Sequence, residues 1–269
     1  MKIGIVGYGV VGKAADNTFS EKYDVIKFDK YHKYDSFDSL LECDFVFIMV
    51  PTPFDCKENK LDDSAVKESL SNLEKIGYEN IVVIKSTLLP GSCKRYSESY
   101  SLNIVFNPEF LRESKTPNTD FKNQHTVVIG TDQKYLFDSV RNMFAQVLLP
   151  KSKYYHTSTT EAEMIKSAQN TMLASRVALA NMIFDTCQSF EINYNLVKKI
   201  AFDGFDIIGP KMSEVPGPDG KQGFGGKCLP KDIRAFSSIS NSEMLLEIIK
   251  YNDSLRGDLG QVLMNFEED

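Results

Sequence analysis

The sequence has few of the features that mark membrane, secreted or metal-binding proteins. No apolar run approaches the ~20 residues that span a bilayer. The amino-terminal KIGIVG has neither a basic segment nor a small-residue cleavage site, so no signal peptide is expected. The five cysteines lack metal-ligand spacing, and the three histidines form no ligand pattern. We therefore expect a cytoplasmic protein with reduced thiols, no membrane association and no metal site.

The charge balance limits the partners, and the length suggests the number of domains. The formal net charge is −6 and no long basic run is present, which argues against nucleic-acid binding. Hydrophobic residues make up 42% of the chain and charged residues 25%, as is ordinary for a globular protein. Because 269 residues are many for one hydrophobic core, we expect two domains.

Residues 1–155 alternate short apolar runs with helical stretches. Runs such as FVFIMV and IVVIK are apolar almost throughout, as expected for parallel strands buried on both faces. The alternation predicts a doubly wound, Rossmann-type α/β domain. The predicted strands are Lys2–Val6, Asp24–Asp29, Asp44–Val50, Ile81–Lys85, Asn103–Phe106 and His125–Gly130, and the predicted helices are Val10–Ser20, Ser64–Ile76 and Gln133–Ala145.

Residues 156–269 predict an all-helical second domain. The strand signal stops after Lys153, and Thr160 with Glu163 predicts a capping box near the start of one long connecting helix, Thr159–Phe190. The stretch Phe205–Leu229 is irregular and rich in Gly and Pro, and such a long loop is usually functional or disordered. Further helices are predicted at Tyr194–Phe202, Lys231–Ser240 and Glu243–Met264.

A dinucleotide fingerprint, GYGVVG, follows the first strand and opens a helix. Gly7 permits the tight turn, Gly9 lets the backbone approach a pyrophosphate, and Gly12 allows the helix to pack closely on the strand. Asp29 ends the second strand, where a carboxylate binds the adenosine ribose and repels a 2′-phosphate, so NAD is favoured over NADP. The alternative is a Rossmann-like fold that binds no dinucleotide.

The segment GFGGKCLPKD at Gly223–Asp232 is the second strong signal. Pro230 is typical of the first turn of a helix, so Cys228 is expected at or next to a helix N-terminus. The helix dipole, with Lys231 nearby, favours the nucleophilic thiolate there. The alternative is a buried cysteine that acts as a small hydrophobe. The cysteines without a comparable setting are Cys43, Cys56, Cys93 and Cys187.

Two weaker signals lie at predicted strand ends. VPTP (Val50–Pro53) and KSTLLPG (Lys85–Gly91) follow strands, and open α/β sheets bind ligands at such ends. Thr87 could hydrogen-bond a nicotinamide or a water molecule. The alternative is that these Pro and Thr residues simply end strands.

Two further pairs of polar residues are candidates for acid–base and oxyanion chemistry. Glu109 and Glu113 follow the fifth strand, and one of them could activate water as a general base. Lys166 and Asn170 are four residues apart on the long helix, and together they could stabilise an oxyanion. The alternatives are that the two glutamates lie in a solvated loop and that Lys166 and Asn170 face solvent.

GYGVVG, VPTP, KSTLLPG, NPEFLRES, EAEMIKSAQN and GFGGKCLPKD occur here in that order. In this the chain resembles the family of UDP-glucose and GDP-mannose dehydrogenases, from Met1 to about Arg256. That family oxidises a nucleotide sugar at C6 to the uronic acid with two NAD molecules. The resemblance implies that Cys228 forms a thiohemiacetal and then a thioester, with Asp232 supporting it. It also implies that Lys166 and Asn170 stabilise the oxyanions.

The resemblance implies further roles around these groups. Glu113 would be the base for thioester hydrolysis, with Thr87 and Glu109 holding water. Groups that would bind NAD are Gly7, Tyr8, Gly9, Val10, Val11, Gly12, Asp29, Lys33, Val50, Pro51, Thr52, Ser86, Thr87, Glu113 and Lys231. Groups that would bind the nucleotide sugar are Phe110, Leu111, Arg112, Lys166, Asn170, Phe224 and Gly225.

The chain departs from the family pattern in three places. It stops where a third domain, which binds the nucleotide, usually begins, so either the nucleotide is bound differently, a separate partner supplies that surface, or binding is weak. Ile207 stands where the family has an arginine that reaches a neighbouring subunit. Asn181-Met182 stands where the family has Asn-Glu. The long helix is the expected interface of a homodimer.

Two other functions stay open on the sequence. One is a two-electron dehydrogenase of the hydroxyacid or 6-phosphogluconate kind, which also places Lys and Asn on a long helix but needs no cysteine. The other is a non-catalytic NAD-binding module derived from the enzyme by loss of its nucleotide domain.

Overall fold

The computed structural model describes residues 1–111, 116–206, 208–209, 212–240 and 242–257. These residues divide into two compact units. The first contains residues 1–52 and 61–166, and the second contains residues 53–60 and the described residues from 167 onward. The expected boundary at residue 155 lies inside a strand of the first unit, and the division falls within the long helix instead.

The first unit is built on a seven-stranded sheet of order β2-β1-β3-β6-β7-β8-β9. From β2 to β7 neighbouring strands are parallel. Strand β8 is antiparallel to β7, which it pairs at Phe106 and Gly130, and β9 is parallel to β8. The bounds are β1 (Lys2–Val6), β2 (Asp24–Phe28), β3 (Phe45–Ile48), β4 (Phe54–Asp55), β5 (Lys60–Leu61), β6 (Ile81–Ile84), β7 (Asn103–Phe106), β8 (Thr126–Gly130) and β9 (Lys153–Thr157), with β4 and β5 forming a separate hairpin.

Helices cover both faces of this sheet, which confirms the predicted doubly wound fold. Alternate residues of a strand point to opposite faces. Phe47 therefore packs in one core with Phe19 and Phe144, and Ile48 in the other core with Leu70. The helices are α1 (Val10–Phe19), a 3-10 helix (Phe37–Glu42), α2 (Ser64–Lys75), α3 (Ser92–Ser99), α4 (Pro117–Lys122) and α5 (Lys134–Phe144).

From Thr159 onward the elements of the described residues are helices, as predicted. Small residues on the long helix, Ala174 and Ala178, pack against Phe224, Ile233 and Ile249 in a buried cluster. Small side chains at such contacts let neighbouring elements approach closely. The helices are α6 (Thr159–Ser189), which begins in the first unit, α7 (Tyr194–Ala201), α8 (Leu229–Ser240) and α9 (Glu243–Arg256).

Three sequence predictions are wrong in detail. Strand β9 (KYYHT) continues beyond Lys153, where we expected the strands to stop. Most of its residues are exposed, so it lacks the apolar run used to recognise strands. Ser158 and Glu161, not Thr160 and Glu163, form the reciprocal hydrogen bonds at the start of α6.

The last helix is also shorter than predicted. It ends at Arg256, because Gly257 adopts the left-handed conformation with φ 70° that commonly terminates helices. The remainder of the predicted helix, up to Met264, lies outside the described residues.

Candidate functional site

The glycine loop between β1 and α1 has the backbone that the fingerprint predicts. Gly7 has φ +93°, and a Cβ there would lie 2.7 Å from the Met49 carbonyl oxygen. A Cβ on Gly12 would lie 2.3 Å from the Gly7 carbonyl oxygen. A Cβ on Gly9 would meet nothing within 4 Å, and Gly9 is the N-cap of α1. The loop is thus tight at its two ends and open in the middle, as an anion-binding helix N-terminus requires.

Asp29 is held at the carboxyl end of β2, facing this loop. Its Oδ2 accepts the Tyr8 N–H at 2.9 Å, and its Oδ1 accepts the Tyr31 N–H at 3.0 Å and lies 2.9 Å from His32 Nδ1. Partial burial alone would raise the pKa of Asp29, but hydrogen bonds from Tyr8, His32 and Tyr31 outweigh it and lower the pKa. The carboxylate is therefore charged and fixed near neutral pH. Lys33 is exposed.

The ends of β3 and β6 are joined by hydroxyl groups. The Thr52 hydroxyl donates to the Thr87 carbonyl at 2.9 Å, and the Ser86 hydroxyl donates to the Val50 carbonyl at 2.7 Å. Thr52 and Ser86 are buried, and Thr87 and Val50 are half-buried. The structure thus brings these predicted cofactor residues together at one edge of the sheet.

A buried lysine that the sequence analysis did not single out holds the loop after β7. The Lys85 ammonium donates to Asn107 Oδ1 at 2.8 Å and lies 3.2 Å from Glu109 Oε2. Glu109 Oε1 accepts the N–H groups of Phe110 and Leu111, each at 2.8 Å. Burial lowers the pKa of Lys85, against the raising effect of Glu109. The sequence feature that could have indicated this buried lysine is its position at the end of an apolar strand.

These contacts limit what the loop can offer a ligand. Glu109 Oε1 accepts two backbone N–H groups, whereas Oε2 is buried, pairs with the Lys85 ammonium and accepts no hydrogen bond within the described residues. The N–H groups of Phe110 and Leu111 are already donated, so these residues would contact a ligand through carbonyls or side chains. Lys166 is buried, and its ammonium lies 5.6 Å from the centroid of the Phe110 ring, a cation–π distance.

In the second unit, Asn170 and Asp232 are brought together. Asp232 is 3% exposed; its Oδ2 accepts a hydrogen bond from Asn170 Nδ2, and its Oδ1 lies 2.5 Å from the Lys231 ammonium. Lys231, expected to contact the cofactor, thus compensates a buried carboxylate. Such a charge is costly to bury without a partner.

Cys228 lies immediately before α8, as predicted. It is exposed, and its carbonyl oxygen accepts the Asp232 N–H at 2.8 Å in the first turn. Phe224, by contrast, is 2% exposed and packs in the helical core. Gly225, the next residue, is half-buried.

Three of the predicted residues, Arg112, Glu113 and Ile207, lie outside the described residues.

Within the described ranges, His, Cys, Asp and Glu side chains form no group that could hold a metal ion. No helix among those ranges has the length and apolarity needed to cross a membrane.

Comparison with known sequences identifies the family. Residues 29–148 match the NAD binding domain of the UDP-glucose/GDP-mannose dehydrogenase family, and residues 160–254 match its central domain. The chain belongs to this family. Its cofactor is NAD, and the open position at Gly9 and the charged Asp29 fit that cofactor.

Individual relatives agree with this placement. UDP-glucose 6-dehydrogenase of Rickettsia felis is 32% identical over 222 residues, which are 79% of this chain and 47% of the relative. The chain thus spans about half the length of the curated relatives it matches.

Solved structures support the fold. The UDP-glucose dehydrogenase of Pyrobaculum islandicum has a TM-score of 0.79 at 23% identity, covering 93% of this chain and 68% of that one. A 3-hydroxyisobutyrate dehydrogenase of Mycobacterium tuberculosis has a TM-score of 0.72 at 14% identity, covering 96% and 94%. The fold alone therefore does not separate the two kinds of dehydrogenase.

Proposed function

We propose that this chain carries out the NAD-dependent oxidation of a nucleotide sugar at C6, with UDP-glucose as the first candidate substrate and UDP-glucuronate as the product. The observation that carries the proposal is Cys228, an exposed thiol at the N-terminal end of α8 in a member of this family. Backbone N–H groups at such a position favour a thiolate.

The proposed chemistry is a four-electron oxidation. NAD, when bound, would supply the hydride acceptor for each of the two oxidations. Cys228 Sγ adds to the intermediate aldehyde carbon to give a thiohemiacetal, whose oxidation gives a thioester. Water then adds to the thioester carbon, the carbon–sulfur bond breaks, and the thiolate is regenerated. One alcohol, two NAD⁺ and one water yield one carboxylate, two NADH and three protons.

We assign the remaining polar groups by their surroundings. Lys166 and Asn170 would stabilise oxyanions, and both are buried, where hydrogen bonds to developing charge are strongest. Asp232, compensated by Lys231, would hold the Asn170 amide in place for this task. Because Glu109 holds the backbone of Phe110 and Leu111 and pairs with Lys85, we assign the role of general base to Glu113, with Thr87 helping to hold water.

The partners are proposals of the same kind. The face of α6 that bears Met172, Leu179 and Met182 is apolar and exposed, which supports a homodimer through this helix. A separate chain could supply a nucleotide-binding surface. The uronic acid product would enter polysaccharide synthesis in the cytoplasm.

Two alternatives remain to be tested against this proposal. A two-electron hydroxyacid dehydrogenase would share the fold, as the likeness to 3-hydroxyisobutyrate dehydrogenase illustrates, but would not need Cys228. A non-catalytic module would bind NAD without turnover.

The decisive experiment counts NADH released per molecule of sugar consumed, with purified protein and a panel of UDP- and GDP-sugars. We expect two NADH per sugar, and loss of this turnover in Cys228→Ala. Cys56→Ala is the matched control, because Cys56 is also exposed but lies in the β4–β5 hairpin. One NADH per substrate with an active Cys228→Ala would favour the two-electron dehydrogenase. NAD binding without any NADH would favour the non-catalytic module.

A further inference from the structure

We propose that Asn252, assisted by Asn181, is a positioning residue for Cys228. The inference rests on the proposed role of Cys228 as the nucleophile. It comes from hydrogen bonds that two helices, α6 and α9, direct at the backbone of Gly223 and Phe224, shortly before the cysteine. Neither asparagine was singled out as a functional residue from the sequence.

Asn252 on α9 engages both backbone groups of Phe224. It is 2% exposed; its Oδ1 accepts the Phe224 N–H at 2.6 Å, and its Nδ2 donates to the Phe224 carbonyl at 3.2 Å. A carboxamide offers a donor and an acceptor side by side, which a carboxylate or an alkyl group of similar size does not. The Phe224 ring is buried in the same helical core. This residue is therefore fixed by its side chain and by its backbone.

Asn181 on α6 holds the preceding residue. It is 1% exposed, and its Oδ1 accepts the Gly223 N–H at 3.0 Å. Its Nδ2 donates to the Val177 carbonyl at 2.8 Å, within the same helix. That second bond fixes the orientation of the amide, so that its oxygen faces the loop.

The backbone at Gly223 leaves little room for adjustment. Gly223 has φ +76°, and a Cβ there would lie 2.6 Å from Asn252 Oδ1. Its carbonyl accepts a hydrogen bond from the Arg256 guanidinium at 2.7 Å, and the same guanidinium pairs with Asp219 at 2.5 Å. The N–H and carbonyl groups of both Gly223 and Phe224 are therefore all committed.

These bonds act on Cys228 because the intervening segment is short and tied at both ends. Phe224 fixes one end, and the hydrogen bond from Asp232 to the Cys228 carbonyl fixes the other. Gly225 and Gly226 between them have no side chains to hold a conformation of their own. Loss of the Asn252 bonds would release the Phe224 backbone at the first end, and the thiol would leave the N-terminal N–H groups of α8 for part of the time.

The test is the rate at which iodoacetamide alkylates Cys228 at neutral pH, read by peptide mass spectrometry. The same unit provides two internal references: Cys56 is exposed, and Cys187 is buried. The ratio of Cys228 to Cys56 labelling reports the environment of Cys228, and labelling of Cys187 reports unfolding. In Asn252→Leu we expect the ratio to fall by about threefold or more, the size of a helix N-terminal effect, with Cys187 still protected.

Ile249→Val is the matched control. It removes one methylene from α9, one turn before Asn252 and in the same core, and touches none of the loop hydrogen bonds. It should leave the ratio unchanged. If Asn252→Leu exposes Cys187, the labelling ratio is measured instead in the milder variants Asn252→Ser and Asn181→Ser. Each of these removes hydrogen bonds to the loop but little side-chain volume.

A ratio equal to that of the wild type, with Cys187 protected, would overturn the inference. Failure of the proposed function would look different. The wild-type protein would then release no NADH with any nucleotide sugar. The labelling ratio would still show whether Asn252 controls the reactivity of Cys228.

Discussion

Substituting alanine for Gly9 and for Gly12 should separate cofactor binding from folding. The two glycines belong to one loop, but their surroundings differ. A Cβ at Gly9 points into open space, whereas a Cβ at Gly12 would lie 2.3 Å from the Gly7 carbonyl oxygen. Gly9 has φ −77°, which alanine adopts readily, so the new methyl group brings no backbone strain.

The expected magnitudes follow from these contacts. Gly9→Ala should change the free energy of unfolding by no more than about 0.5 kcal/mol, as at an exposed position. NAD affinity should fall by at least about tenfold, or about 1.4 kcal/mol, because the methyl group fills the place where the pyrophosphate approaches the helix. Gly12→Ala should cost about 1–3 kcal/mol of stability, since α1 must move away from the backbone of Gly7.

The assay pairs calorimetric titration with NAD and urea unfolding of the same samples. Wild-type NAD affinity in Gly9→Ala would refute the placement of the pyrophosphate at this loop. Wild-type stability in Gly12→Ala would refute the packing argument. A loss of both properties in both variants would mean that the loop does not separate the two roles.

Three further outcomes are expected. Lys85→Met should lower the free energy of unfolding by about 3 kcal/mol, because the Glu109 carboxylate loses its buried partner, and adding Glu109→Gln should recover part of that loss in urea titrations. Burial raises the pKa of Glu163 against the hydrogen bonds from Cys93 and Gly91. Its stabilising contribution should therefore be complete below about pH 4.5 and be lost as the pH rises through the raised pKa, and Glu163→Gln should flatten this part of the stability curve. Asp29→Asn should reduce the preference for NAD over NADP by about tenfold in calorimetric titrations, because the charge that repels a 2′-phosphate is gone.

The sequence predicted the sheet and most helices because their signals are local. The runs FVFIMV and IVVIK became β3 and β6, buried on both faces. The Gly-rich turn into α1 and the position of Cys228 before α8 also depend on a few adjacent residues. Strand β9 was not predicted, because its mostly exposed residues carry no apolar pattern.

The polar partners were not predictable in the same way, because they depend on contacts between distant residues. Glu163 was expected to cap its own helix, but its carboxylate accepts the N–H groups of Gly91 and Cys93 at the start of α3. Its spacing from Thr160 fitted the capping pattern. The spacing alone does not show that another helix supplies two backbone N–H donors. Two donors satisfy a fully buried carboxylate better than one local hydrogen bond does.

Contacts between distant residues also limit which carboxylates can activate water. A carboxylate that already accepts hydrogen bonds from fixed donors has less capacity left to hydrogen-bond a water molecule. Glu109 accepts two backbone N–H groups and faces Lys85, and Asp232 faces Lys231 and Asn170. Each arrangement commits these carboxylates to contacts inside the protein. If the proposed thioester forms, its hydrolysis therefore depends on a base other than these two, and Glu113→Gln should accumulate the acyl-enzyme on Cys228, detectable as a mass increase of the intact protein.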